Sequence, residues 1–117
     1  MDSLAFDSVL DLCQNQHRRI VLGTLAEEQR PLTFDDLTKA VLTHNHQTPL
    51  AETSEDVLTE VRLSLYHVHL PKLASAGLIT YDPEIELVEP TAQFDQVQPT
   101  LSTILDADPE LDTPMTL

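Results

Sequence analysis

Ser64-Leu65-Tyr66-His67-Val68-His69-Leu70-Pro71-Lys72-Leu73-Ala74-Ser75-Ala76-Gly77-Leu78-Ile79-Thr80-Tyr81 changes its hydrophobic period at Gly77. Before the glycine, Leu58, Val61, Leu65 and Leu73 recur at helical spacing. Ser54 can cap that helix, and Glu55 and Asp56 favour the positive end of its dipole. After the glycine, Leu78-Ile79-Thr80-Tyr81 and Ile85-Glu86-Leu87-Val88 read as short strands joined by Asp82-Pro83-Glu84. Gly77 suits the left-handed residue that ends a helix. Pro71 removes one backbone donor, which predicts a kink near His67–Pro71.

Upstream, three more helices are expected. Ser3 to Asn15 carries Leu4, Val9, Leu12 and Cys13 near helical spacing, with Ser3 as its cap. His17 to Glu28 holds Ile20, Val21, Leu22 and Leu25, and stops before Arg30-Pro31. Thr33-Phe34-Asp35-Asp36 has the capping-box arrangement, with Asp where Glu or Gln is usual. The helix it opens runs to about Asn45, with Leu37, Val41 and Leu42 facing inward, and residues 44–53 read as a loop. Downstream, Phe94, Val97, Leu101, Ile104 and Leu105 form an apolar stripe, so a helix is expected over 92–106, kinked or begun at Pro99. The expected fold is therefore mainly α with a small β-hairpin: a winged helix-turn-helix over residues 1–90 with flanking N- and C-terminal helices. Residues 91–106 are a candidate dimerisation helix, and 107–117 an acidic disordered tail.

Composition narrows the function classes. The 117 residues hold 20 Asp plus Glu against 6 Lys plus Arg, a formal net charge of −14. One domain is the natural size, and the single Cys13 excludes an intrachain disulfide or multi-cysteine zinc site. No apolar run is long enough to cross a membrane, and no basic-then-apolar leader opens the chain, so a cytoplasmic protein is expected. The acids cluster unevenly: residues 82–117 hold nine and no base, while Leu12–Ala26, Leu37–Ala51 and Val61–Tyr81 hold none. Such a surface suits either a basic partner or life in molar salt, where at about 1 M the Debye length is only about 3 Å. Lys occurs only at Lys39 and Lys72, which fits the salt reading.

The residues also carry a resemblance. His69-Leu70-Pro71-Lys72-Leu73-Ala74-Ser75-Ala76-Gly77-Leu78-Ile79 resembles the end of the recognition helix of ArsR-type winged-helix regulators. The longer string from Ser64 to Leu73, with Asn15-Gln16-His17-Arg18-Arg19-Ile20-Val21-Leu22, is similar to haloarchaeal winged helix-turn-helix domains across about residues 8–88. That resemblance implies a DNA-binding transcriptional regulator of a halophilic archaeon, reading the major groove of double-stranded DNA with the helix around 57–75, as a homodimer. It points to Ser64, His67 and Val68 for base contacts and to Arg62 and Lys72 nearer phosphates, with Lys39 a further candidate. Arg62 and Lys72 have a second reading, as stems that cover apolar surface. Candidate dimer residues are Leu4, Val9, Phe94, Val97, Leu101 and Ile104, unless both stripes pack on their own core.

Two features oppose a simple DNA reading. The wing offers Asp82 and Glu84 where phosphate-binding wings carry cations. The bases near the recognition helix also fail to form one blade. A winged-helix protein–protein interaction module that does not bind DNA is the alternative. His44, His46, His67 and His69 do not make a spaced metal set, and Gly23 and Gly77 alone form no phosphate loop. No enzyme, cofactor, metal or small-molecule substrate is expected.

Overall fold

A computed structural model of the chain describes residues 6–46 and 53–108. Its elements are α1 (Phe6–Leu12), α2 (Gln16–Glu28), β1 (Leu32–Thr33), α3 (Phe34–Val41), α4 (Glu55–Ser64), α5 (Leu70–Ser75), β2 (Ile79–Asp82), β3 (Leu87–Pro90) and α6 (Ala92–Asp106). A π-helical turn, Leu42–His46, extends α3, and another, Leu65–His69, joins α4 to α5 without a break. The expected Ser3 cap, Leu4 and the middle of the 44–53 loop lie outside the described residues, as does the tail beyond Asp108.

Local chemistry explains most boundaries. Asn15 opens α2 by accepting the His17 amide at 2.8 Å, and Gln29 closes it in a left-handed conformation at φ 54°. The capping box at α3 is complete. The Asp36 amide donates to the Thr33 hydroxyl at 3.0 Å, and the Thr33 amide to the Asp36 carboxylate at 3.2 Å. Ser54 accepts the Val57 amide to start α4. At the end of α5, the Gly77 amide bonds the Ala74 carbonyl and the Leu78 amide bonds the Leu73 carbonyl. This is a Schellman closure with Gly77 at φ 85°, and the side chains of Leu73 and Leu78 are both fully buried.

Pro71 does not produce a break. The turn before it widens, so that the Leu70 amide reaches the Leu65 carbonyl, and Pro71 enters the first turn of α5 where a donor is dispensable. Leu65, Leu70 and Leu73 are thereby all buried. Pro99 sits within α6, exposed, so that helix neither begins nor ends there.

The hairpin is shifted relative to expectation. Leu78 is consumed by the helix closure, and Glu86 adopts φ 52° in a longer turn, so the strands start at Ile79 and Leu87. A third strand, β1, pairs antiparallel with β3 through Leu32↔Val88 and Thr33↔Leu87, giving the order β1-β3-β2. Helices α2, α3 and α4–α5 backed by this sheet make the winged-helix arrangement. Among the described residues no helix is long and apolar enough to cross a membrane.

The core centres on α2, whose Ile20, Val21, Leu22 and Leu25 are all fully buried. Arg18, Gly23 and Thr24 are buried with them, so the buried surface of α2 is wider than a single apolar stripe. α6 packs against α1 and α2. Four candidate dimer residues are spent there: Val9, Phe94, Val97 and Leu101 are buried in their own core, and Ile104 packs partly against it. The alternative reading, self-packing, is the one these residues follow. On α1 it is Phe6 and Leu10 that face solvent.

Candidate interaction face

The two strings that carry the resemblance meet inside the molecule. Arg18, 8% exposed, donates through Nε to the Leu12 carbonyl at 2.6 Å and through a terminal nitrogen to His69 Nδ1 at 3.3 Å. A guanidinium has no acceptor, so His69 Nδ1 accepts and its proton sits on Nε2. Arg19 donates to the Cys13 carbonyl at 2.5 Å and pairs with Asp108 at 2.9 Å. The two arginines therefore satisfy carbonyls at the end of α1, where positive charge is also favoured by the helix dipole. Asp108, expected in a disordered tail, is instead the partner that fastens the end of α6.

His69 is 4% exposed, with the His17 ring edge-on at 5.5 Å. Its pKa is pushed down to about 4 by burial first, then by the positive charge of His17, Arg18 and Lys72. It is a neutral structural acceptor. Burial likewise pushes the Cys13 thiol up, against the pull of Arg19 and Arg18, so the reactive thiolate is disfavoured. His67 points outward and His69 inward, and among the described residues no three metal-ligating side chains converge.

The outer face of α4–α5 and the wing is different. Leu63, Tyr66 and Val68 are exposed, as is Ile85 at the wing tip. His67 is exposed too, its ring edge-on to Tyr66 at 5.0 Å, and Ser64 is half-buried. Tyr66 also meets Phe34 and Tyr81 edge-on, at 6.3 Å and 6.1 Å. Arg62, the one cation placed centrally, pairs with Asp35 at 2.6 Å and lies over the Phe34 ring at 4.8 Å. Lys39 lies one turn beyond Asp35 on the exposed side of α3. Lys72 is elsewhere, 3.7 Å from Asp11 of α1. The candidate DNA residues thus do not converge: Ser64, His67 and Val68 share the outer helix, while Arg62 is neutralised and Lys72 points to α1.

Between α3, α4 and the wing lies an open cavity of about 340 Å³, lined by Phe34, Thr59, Arg62, Leu63, Tyr66 and Glu86. Sequence reasoning missed Leu63, Tyr66, Phe34 and Glu86 as a group. The signal available was Leu63 and Tyr66 at i and i+3, off the Leu58–Val61–Leu65 stripe. The wing's approach to α3 was not readable, because it depends on the Phe34 amide bonding the Glu86 carbonyl at 2.9 Å.

A winged-helix domain with an aromatic, acid-edged outer face is the class this geometry defines. The chain belongs to the family described as a domain of unknown function (DUF7344), whose model matches residues 10–89. The match begins within α1 and ends within β3, so α6 lies outside it. No curated protein and no solved structure matches the chain.

Proposed function

We propose that the chain is a non-catalytic winged-helix interaction module, acting in the cytoplasm of a salt-loving cell, whose helix-and-wing face takes a protein partner. One observation carries this reading. The central cation of that face, Arg62, is already held by Asp35 and Phe34, while the exposed side chains that line the cavity beside it are Leu63 and Tyr66. Aromatic and aliphatic groups of this kind anchor protein interfaces. Duplex binding draws much of its affinity from cations on phosphate, and the wing presents Asp82, Glu84 and Glu86.

A second reading, a homodimeric regulator that reads double-stranded DNA, is favoured by His67 and Val68. Both stand exposed on the helix that this fold can lay in a major groove, a ring donor and a methyl-contacting side chain. Molar salt weakens phosphate contacts for every protein, which lessens the handicap of an acidic wing. Selection from a random duplex pool at about 2 M KCl separates the two, since long-range charge effects are screened there. The interaction reading expects no enriched motif from folded protein. Enrichment of a palindrome, lost in His67→Ala, overturns it in favour of DNA.

A further inference from the structure

The cavity at the junction of α3, α4 and the wing has a chemistry that selects its occupant. We infer that it takes a short basic segment of a partner protein, seating one aliphatic or aromatic side chain against Leu63 and Tyr66 with flanking Lys or Arg against the wing carboxylates. This rests on the docking role proposed above for the same face. The apolar half of the argument is the wall itself. Phe34 forms the floor, and Leu63 and Tyr66, 52% and 46% exposed, stand beside it. At about 340 Å³ the cavity is at the small end of the roughly 300–1,000 Å³ typical of ligand clefts, so it suits an anchor side chain rather than a large ligand.

The charged half is the rim. Glu86 belongs to the wall, Asp82 and Glu84 precede it along the exposed wing turn, and Asp35 keeps its side chain 74% exposed while pairing with Arg62. An acidic segment would meet these carboxylates with only the committed Arg62 to offset them. A basic segment meets complementary charge and the exposed Tyr66 ring, an aromatic face of the kind that cations favour. The rim is also pre-positioned. Glu86 holds a left-handed backbone conformation unusual for a side chain of its size, and its carbonyl is fixed by the Phe34 amide.

The test uses the full chain in about 1 M KCl, where the Debye length is about 3 Å and only contact ion pairs survive. Three short synthetic peptides of equal length are titrated while backbone amide NMR resonances are followed. One alternates Lys with Leu, one replaces every Lys by Glu, and one replaces every Leu by Ser. The Lys–Leu peptide is expected to shift resonances of Thr59, Leu63, Tyr66 and Glu86. Tyr66→Ala and, independently, Leu63→Ser should weaken it about tenfold, the scale of a truncated anchor. Glu86→Lys should weaken it more than Asp7→Lys, an equal charge change on α1, which does not border the cavity.

Equal weakening by Asp7→Lys and Glu86→Lys overturns the inference, leaving general attraction to a polyanion. Equal or stronger binding of the Glu or Ser peptide at the same residues removes the basic anchor but leaves the docking role standing. No shift by the Lys–Leu peptide at its solubility limit also overturns the inference. If duplex DNA moves those residues instead, the docking role falls with it.

Discussion

Two cationic regions of this molecule look alike in sequence and behave oppositely in structure. Arg18 and Arg19 lie between α1 and α2, engaged with carbonyls, His69 and Asp108, and they hold elements together. Arg62 lies on the outer face, half-exposed, and its partners are an exposed carboxylate and one ring. A guanidinium surrounded by carbonyls out of water is worth far more to folding than one paired at the surface. Motifs rich in Arg and His therefore mark where this fold is fastened, and the face turned outward is built from aromatic, aliphatic and acidic groups.

Breaking the inner region should have the largest effect. Arg18→Met removes the donors to the Leu12 carbonyl and His69 Nδ1, and about 3 kcal/mol of stability should go with them. Denaturant midpoints in molar KCl measure this. Acid attacks the same place from the other partner. The folded pKa of His69, about 4, lies below its ordinary 6.5, so the unfolded chain binds more protons between those values. Stability is complete above pH 6.5 and falls as pH drops towards 4, by roughly 2–3 kcal/mol from this group. His69→Gln keeps an acceptor without a titration, and the difference between the two stability–pH curves should be confined to that window.

Gly77→Ala strikes the fold at the closure between α5 and β2. A Cβ there meets the Gln93 Oε1 atom at 3.0 Å at a φ of 85°, and a loss of about 1–2 kcal/mol in thermal or denaturant unfolding is expected. The outer region should be nearly silent by the same measurement. Arg62→Gln should cost less than about 1 kcal/mol, since one member of its pair is an exposed Asp35. Leu63→Ser, on a half-exposed side chain, should stay within about 0.5 kcal/mol. A large loss from either would mean that the outer face is a fastening too, and the contrast would collapse.

What could be read beforehand follows from range. The Thr33–Asp36 box, the Ser54 cap and the Gly77 closure join residues at most five positions apart, and their partners are neighbours in sequence. Each was visible as a residue type at a spacing. β1 was not visible, because two residues after Pro31 carry no period and acquire strand geometry only by pairing with Val88 and Leu87. The widened turn at Leu65–His69 was sensed only as a disturbance near Pro71, since its register is set by which leucines the core accepts. Among the candidate site residues, His67 and Val68 came from the resemblance, and Val68, in phase with Val61, is exposed against the helical period, whereas the loss of Arg62 to Asp35 joins positions 27 apart. The burial of Arg18 with His69 joins positions 51 apart, and no spacing announces it.

Thr91 joins the wing to the last helix through one side chain. Its amide bonds the Leu78 carbonyl at 3.0 Å and its hydroxyl donates to the Gly77 carbonyl at 2.6 Å, while the same oxygen accepts the Phe94 amide that begins α6. Mechanically this is a pivot shared by two levers. Strand β3 runs straight into Thr91, so the residue that ends the wing is also the one that begins α6. The wing and the helix that lies outside the family's matched span therefore meet at a single residue.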